Sequence, residues 1–301
     1  GYNTETTFRR FLYNPGCRRG IQGGIDAPFD NSDRRQVDRL TREGFNNDWR
    51  IKRRDAIPDL KLSASYGKEW QLPSGDLLTL SAALNYSYSY LRYADMENAR
   101  YGRYNTADDR PEYLYDYTDN RYQTSGRLGA MLNLAWNRGS SKFHFRNIFN
   151  RIGQDRLTLR TGWQNISSRY DQEKTEYLYN SRVTYVGQLA GTTELENKGL
   201  SWTAAYTYAN RNQPDRRIVN RQQNDLYGDL HFGEMQIEQN SIERDFSKLD
   251  EHVVSAGADG HLDFDIRGQQ QTLKAGLFGQ YRSRDYSQRA FFYRFNAAGL
   301  P

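Results

Sequence analysis

Apolar and polar residues alternate with a period of two along several long stretches of this chain. In TLSAALNYSYSYLRY, residues 79–93, the even-numbered positions up to Tyr90 are leucine, alanine or tyrosine, and the odd-numbered positions are mostly small and polar. Successive side chains of a β-strand point to opposite faces, so this alternation predicts a strand with one apolar and one polar face. Ordinary strands contain about 5–6 residues. A strand of this length therefore requires a special environment.

The same alternation recurs in further segments and predicts long strands throughout the chain. The predicted strands cover residues 59–71, 79–93, 121–137, 142–151, 177–190, 199–209, 252–266 and 272–284, and residues 1–8 are a candidate ninth strand. At ~3.3 Å per residue and a tilt of about 40°, a strand of roughly 12–15 residues rises roughly 30–37 Å. This exceeds the ~25 Å apolar band of a membrane β-barrel, whereas a soluble sandwich has no use for such length.

Two kinds of connection alternate between the predicted strands. Short glycine-containing segments, typical of hairpin turns, are LPSGD at 72–76, RGSS at 138–141, GTTELENK at 191–198 and RGQQQ at 267–271. Long polar segments, residues 94–120, 152–176 and 210–251, separate these hairpins and are predicted to be loops. Short turns at one end and long loops at the other predict an all-β, antiparallel, up-and-down transmembrane β-barrel.

The composition excludes a conventional large core and is compatible with a membrane protein built of strands. Apolar residues make up 37% of the 301 residues and aromatic residues 14%, and the mean hydropathy is −0.96. This is too polar for a large buried core and too aromatic for a disordered chain. No stretch approaches ~18 consecutive apolar residues, so no transmembrane helix is predicted. The tyrosines at 86, 88, 90 and 93 and the tryptophans at 70 and 136 match the aromatic girdles of membrane strands.

The charge pattern indicates a mixed surface. The net charge of +5 comes from 42 basic and 37 acidic residues. Arginine predominates among the basic residues, and its planar group suits bidentate pairing with Asp and Glu or with anionic lipid headgroups. The arginines are scattered and accompany no nucleic-acid-binding module, so nucleic acid is not an expected partner. Cys17 is the single cysteine, which rules out an intramolecular disulfide.

Three segments carry a family likeness: FNNDWRIKRRDAIPDLKLSASYGKEW at 45–70, WTAAYTYANRNQPDRR at 202–217 and GLFGQYRSRDYSQRAFFYRF at 276–295. They resemble the β-barrel of TonB-dependent outer-membrane receptors, in particular the Bacteroidetes type that carries a carboxypeptidase-regulatory-like N-terminal domain. The likeness extends over essentially the whole chain and implies TonB-driven uptake of a large, scarce ligand such as a siderophore or a glycan. It also implies a location in the bacterial outer membrane and contact with its lipid and lipopolysaccharide. A surface lipoprotein is a further candidate partner.

The chain departs from the family pattern in what it lacks. It shows no plug domain, no TonB-box-like segment, no regulatory-like domain and no terminal strand ending in an aromatic residue, and receptors of this class have about 22 strands. We therefore interpret residues 1–301 as part of one receptor β-barrel domain, an internal fragment with eight or nine strands that lacks the plug and the barrel C-terminus. Contact with the TonB complex is then expected through the missing plug region.

The residues give no support for catalysis, and no cofactor is expected. Paired carboxylates lie in predicted loops, no G-x-S-x-G elbow is present, and the glycine-containing turns lack the lysine and helix of a phosphate loop. The candidate metal cluster is DGHLDFD, which places Asp259, His261, Asp263 and Asp265 on one strand face. We favour a structural role over a metal site, because Lys274 on the next strand is expected opposite Asp263 or Asp265.

Candidate ligand contacts come from the segment LRYADMENARYGRYNTADDRPEYLYDYTDN at 91–120. Tyrosine rings stack on sugars, and arginines bind anionic chelates. The candidate residues are Tyr101, Arg103, Tyr104, Tyr113, Tyr115 and Tyr117. The alternative is a loop whose tyrosines and arginines satisfy one another.

Two other classes of protein remain open. The first is a non-transporting outer-membrane barrel with a structural or adhesive role, and the second is a soluble β-sandwich that binds polysaccharide through its tyrosines. A sandwich would bury the apolar faces of its strands against a second sheet. In the membrane alternative, we expect Leu80 and Leu84 to face lipid and Ser81 and Asn85 to face the lumen.

Overall fold

The structure, a computed structural model, describes Arg39 and residues 43–45, 47–53, 55–165, 169–223 and 235–293. The chain divides into two units, Gly1–Asp55 and Ala56–Pro301. In the first unit, the Asp48 carboxylate lies 2.9 Å from Arg50 Nε and 2.9 Å from Lys52 Nζ. The candidate strand at residues 1–8 and Cys17 lie outside the described residues.

The second unit has an all-β fold. Its strands are β1 (Leu60–Gln71), β2 (Leu77–Asn105), β3 (Arg110–Arg138), β4 (Ser141–Asn165), β5 (Arg169–Leu195), β6 (Lys198–Gln223), β7 (Met235–Ile266) and β8 (Gln269–Tyr293). They form one sheet in which each strand pairs with the next in chain order, and every pairing is antiparallel. This arrangement confirms the predicted all-β, up-and-down antiparallel fold.

Most of the strands are much longer than the alternating segments that predicted them. β4 contains 25 residues and β7 contains 32. The segments 94–120, 152–176 and 210–251, which we expected to be loops, belong mostly to strands where the structure describes them, and only residues 106–109 separate β2 from β3. Polar side chains do not prevent strand formation, because they can form favourable pairs across the sheet while the backbone hydrogen bonds continue.

Two aspartates mark irregularities that let β2 and β6 continue past their alternating segments. Asp95 in β2 and Asp215 in β6 have φ values of 51° and 60°, in the left-handed region that Asp tolerates better than most residues. The pairing register shifts next to both residues, as expected of β-bulges that re-aim the following side chains. Asp95 and Asn120 exchange two hydrogen bonds of 3.3 Å, which hold the first irregularity in place.

The short connections are tight hairpin turns. Between β7 and β8 the turn consists of Arg267 and Gly268, with φ values of 54° and 78°, and Asp265 Oδ1 accepts a 2.7 Å hydrogen bond from the Gly268 amide. Positive φ at both central residues is a requirement of the type I′ turn, whose twist matches that of paired strands. The segment 191–198 is more extended than expected, because β5 continues to Leu195 and leaves only residues 196–197 as the turn.

The described residues form a single sheet, and no second sheet covers it. Among these residues, Tyr117 and Ile218 are the only buried hydrophobic side chains. Large apolar side chains are exposed instead, including Leu84 at 51% and Leu277 at 84%. The sheet therefore lacks the buried layer that stabilises a soluble β-sandwich.

Candidate functional site: an apolar band and a polar face

One face of the sheet carries a continuous layer of apolar side chains, which we call the apolar band. Cross-strand partners point to the same face, and the register places Leu84 between Ala64 of β1 and Ala130 of β3. The band comprises alternate residues in the ranges 60–70, 78–90, 128–136, 143–149, 183–189, 200–208, 254–266 and 273–281. Lys68 is the charged member of these ranges, and its ammonium group lies 5.3 Å from the centre of the Trp70 ring at the border of the band. Arg151 of β4 lies on the same face just beyond the range 143–149, between Leu128 and Val183.

The apolar band crosses the strands obliquely. Its limit on the side away from the short turns is Tyr90 on β2 and Tyr281 on β8. We use the term row for residues that the register joins from strand to strand. Tyr281 of β8 lies in the same row as Ala82 of β2, which is six strands away. Along β2, Ala82 is eight residues closer to the short turns than Tyr90. With ~3.3 Å per residue and ~4.8 Å between strands, this offset corresponds to a strand tilt of about 40° from the normal of the band. Strands of membrane β-barrels tilt by about 35–45°.

The opposite face, which we call the polar face, carries small and hydrophilic side chains along the same strands. Asn85 lies on this face between Ser63 of β1 and Gly129 of β3. The register thus separates the Leu80 and Leu84 face from the Ser81 and Asn85 face across the whole sheet, as the alternation predicted. Contact of the first face with lipid stays a prediction.

The aromatic residues predicted to contact a ligand lie on strand segments beyond the apolar band. Tyr101 of β2 and Tyr113 of β3 are cross-strand partners, and their ring centroids are 4.7 Å apart. Tyr115 and Tyr117 stack with centroids 5.1 Å apart. Because Tyr113, Tyr115 and Tyr117 occupy alternate positions of β3, they share one face. The structure therefore brings these four predicted residues together.

Tyr117 is anchored within the protein, whereas the other predicted residues offer more surface. Its hydroxyl donates a 2.9 Å hydrogen bond to Gln172, and the Arg160 guanidinium lies 5.0 Å from its ring centre. Tyr101 and Tyr104 are 52% and 53% exposed. Tyr104 donates a hydrogen bond to Asp109 near the β2–β3 turn. Arg103 is exposed as well.

The buried Asp119 of β3 forms an ion pair with the half-buried Arg160 of β4, beyond the apolar band. Arg160 Nε and Nη2 donate to the two carboxylate oxygens at 2.7 and 2.8 Å. Asn98 of β2 donates a third hydrogen bond to Asp119 at 3.2 Å. Burial by itself raises the pKa of Asp119, but the hydrogen bonds from Arg160 and Asn98 outweigh it and hold the pKa below its usual value.

A second ion-pair network, centred on Glu176 of β5, links β4 to β7. Glu176 accepts hydrogen bonds from Arg156 at 3.2 Å and from Arg216 at 2.7 Å. Arg216 also donates to Asp245 at 3.0 Å. Burial raises the pKa of Glu176, yet the hydrogen bond and charge of Arg216 and the charge of Arg156 bring it below its usual value. Neither ion-pair group was predicted, because the partners are distant in sequence and only the register brings them together.

The acidic residues of DGHLDFD do not gather into a metal site. Within the described ranges, no group of three His, Cys, Asp or Glu side chains is close enough to hold a metal ion. Lys274 lies opposite His261 and not opposite Asp263 or Asp265, so that prediction was wrong. The two-residue turn sets the register and places Thr272 opposite Asp263, where its hydroxyl donates a 2.6 Å hydrogen bond to the carboxylate.

The fold and the two-faced sheet define an all-β, up-and-down antiparallel protein. In the part of the chain that the structure describes, no helix combines the length and apolar character needed to cross a membrane. Comparison of the chain with protein-family models, with curated proteins and with solved structures finds no match.

Proposed function

We propose that this chain forms part of the wall of a TonB-dependent receptor barrel in a bacterial outer membrane and takes part in active uptake of a large, scarce ligand. The observation that carries the proposal is the apolar band. It is a continuous layer of exposed apolar side chains on one face of the sheet, and its slant matches strands tilted by about 40° through a flat apolar layer.

Lipid provides the covering that the apolar band lacks in the described residues. Burial of apolar surface is favourable by about 25 cal/mol per Å², and an apolar patch of this extent left in water promotes aggregation. Aromatic side chains lie at both borders of the band, with Tyr88 and Tyr90 at one side and Trp136 and Trp202 at the other. Tyrosine and tryptophan favour the membrane–water interface, where the ring is apolar and its polar group stays hydrated.

The strand segments beyond the apolar band suit a part of the barrel wall that is exposed to water at the cell surface. Ion pairs join β3 to β4 and β4 to β7 there, so the strands continue without an apolar layer. In our proposal the polar face lines the lumen, and the exposed Tyr101, Arg103 and Tyr104 meet the incoming ligand, which is a siderophore, a glycan or a similar molecule. Lipopolysaccharide and a surface lipoprotein are the proposed neighbours, and the TonB complex acts through the plug.

Two features bear on the alternatives. The soluble sandwich is disfavoured because the described residues form one sheet. A non-transporting barrel would show the same apolar band and has to be separated by experiment. β1 and β8 are at the two edges of the sheet, and unpaired edges are unfavourable in lipid. We therefore propose that further strands complete the barrel.

Site-directed spin labelling of the complete gene product in lipid vesicles tests the membrane assignment. Single cysteines replace residues 80–85 in turn in a Cys17→Ser background, and collision rates with O₂ and with a water-soluble nickel chelate are measured. O₂ concentrates in lipid and the chelate stays in water, so we expect O₂ maxima at positions 80, 82 and 84 and chelate maxima at 81, 83 and 85. Equal access of the chelate to both sets would contradict the proposal.

Uptake measurements separate a transporter from a non-transporting barrel. Labelled siderophores and glycans are offered to cells that lack this gene and to cells that lack TonB. We expect uptake of at least one common ligand to disappear in both strains. Unchanged uptake of every ligand after deletion of the gene would favour the non-transporting barrel.

A further inference from the structure

We propose that the polar face holds a binding site for a small polyanion, formed by Lys61, Arg127, Arg182 and Arg211, which we call the cationic row. The placement of this site in a transport lumen rests on the proposed function. The clustering of its charges does not, because it follows from the strand register alone.

The register places the four cations in one row across the sheet. From β1 to β8 the row reads Lys61, Ser87, Arg127, Ile152, Arg182, Arg211, Leu249 and Tyr286. Arg182 and Arg211 are direct cross-strand partners. Because partners in a row share a face, all four cationic side chains leave the same side of the sheet. The row contains no carboxylate.

The cationic row has no counter-charge of its own. All four side chains are exposed, and within the described residues none of them makes an ion pair or a side-chain hydrogen bond. On the same face, the next row on one side contains Ser125, Gln154 and Asn180. The next row on the other side contains Gly129, Asn150 and Thr184. Glu251, further along the second of these rows, already accepts a hydrogen bond from Arg284.

Several arginines of the polar face form ion pairs with nearby carboxylates, unlike the four members of the cationic row. Arg160 binds Asp119, and Arg216 binds both Glu176 and Asp245. Like charges directly opposite each other destabilise a sheet, so the Arg182–Arg211 pair has a cost in the protein without a ligand. An anion bound between the two guanidinium groups would remove that repulsion and form charge-assisted hydrogen bonds.

The spacing of the row indicates the class of ligand. Neighbouring strands are ~4.8 Å apart, so Arg182 and Arg211 are about one strand spacing apart and Arg127 lies roughly 10 Å from Arg182. The guanidinium group binds carboxylate and phosphate oxygens in a bidentate manner. A small molecule with several carboxylate or phosphate groups separated by about 5–10 Å therefore fits the row.

Calorimetric titration of the complete gene product in detergent tests the site with citrate and with tripolyphosphate, and trimethyl citrate is the neutral control. We expect both anions to bind more tightly than the triester, and the tighter of the two identifies carboxylate or phosphate as the favoured group. Arg182→Gln and Arg211→Gln should each weaken binding about tenfold or more. Arg151→Gln is the matched control, because it removes the same charge next to Ile152 but from the opposite face, and it should leave affinity unchanged.

Thermal unfolding distinguishes a cationic row that binds a ligand from one that only stabilises the fold. Removal of one charge by Arg211→Gln should raise the Tm of the anion-free protein, and citrate should raise the Tm of the wild type more than that of the variant. A lower Tm of anion-free Arg211→Gln would mean that an acidic protein segment occupies the row, and it would overturn the proposal.

The outcomes also separate this inference from the proposed function. Spin labels that report lipid at 80, 82 and 84, combined with citrate and tripolyphosphate binding no tighter than the triester, would refute the anion site alone. Tight anion binding by a protein without lipid exposure would refute the receptor proposal and leave the anion site intact.

Discussion

Replacement of Leu84 by arginine tests whether the apolar band meets lipid. Leu84 is at the centre of the band on β2, midway between Leu78 and Tyr90. Its side chain is 51% exposed. Its cross-strand partners, Ala64 and Ala130, are too short to cover a charge. In a bilayer, the guanidinium group at this position would therefore be surrounded by hydrocarbon.

The expected magnitude follows from the depth of Leu84. Half the band on β2 amounts to ~20 Å of strand, or roughly 15 Å along the normal at a tilt of about 40°, which is too far for the side chain to reach water. An arginine at the midplane destabilises a membrane barrel by about 2–4 kcal/mol, a factor of roughly 30–900 in the unfolding equilibrium constant. Asn85→Arg places the same side chain one residue away on the polar face, and we expect a change below about 0.5 kcal/mol.

Urea titration of the complete gene product folded into lipid vesicles, followed by tryptophan fluorescence, measures the free energy of unfolding of each variant. Leu84→Ala is a second control, which separates the loss of apolar area from the burial of a charge and should cost less than Leu84→Arg. Equal losses of free energy in Leu84→Arg and Asn85→Arg, or no loss in either, would refute the assignment of this face to lipid.

Three further predictions concern the strand segments beyond the band. Asp119→Asn should destabilise the β3–β4 pairing by about 1–3 kcal/mol, because Arg160 loses its charged partner; unchanged amide hydrogen exchange in these strands would contradict this. The folded-state pKa values of Asp119 and Glu176 are lowered, so their contribution to stability is complete above the unfolded pKa near ~4 and is lost as pH falls through the folded pKa. Opening of these segments, measured by hydrogen exchange corrected for intrinsic rates, should therefore increase below about pH 4, and the increase should be smaller in Asp119→Asn; equal pH profiles would refute the linkage. Gly162→Ala should lower the Tm, because Gly162 has a φ of 151° and a Cβ there would lie 2.2 Å from a backbone oxygen of β3; Gly67→Ala, with open space around its Cβ, is the control, and an equal Tm in both variants would argue against this steric explanation.

The strands themselves were predictable because their signal is local. Alternation of apolar and polar residues depends only on successive side chains pointing to opposite faces, and the predicted segments 79–93 and 121–137 lie within β2 and β3. The extension of these strands through 94–120 was not predictable in the same way. Its residues are polar on both faces, so the pattern alone did not distinguish a loop from a strand held by ion pairs such as Asp119–Arg160.

Register was the main source of error for individual residues. The sequence indicated that Lys274 and the acidic residues of β7 share a face, but the length of the turn decides which of them are partners. A two-residue turn at 267–268 places Lys274 opposite His261. A change of two residues in the pairing keeps the face and changes every partner, which is why the faces were predicted correctly and this pair was not.

The amino-acid sequence by itself determined the all-β class, the alternating segments within the strands, the locations of the short turns and the existence of an apolar and a polar face, because each of these depends on neighbours in the chain. Only the tertiary structure decided which residues meet across strands: the Asp119–Arg160 pair, the Glu176 network, the tyrosine cluster and the unpaired cationic row. Cross-strand contacts depend on turn lengths and bulges accumulated along the sheet. The register that results from all turns and bulges together cannot be read from a local pattern. For this reason the contacts on the polar face were identified only from the tertiary structure.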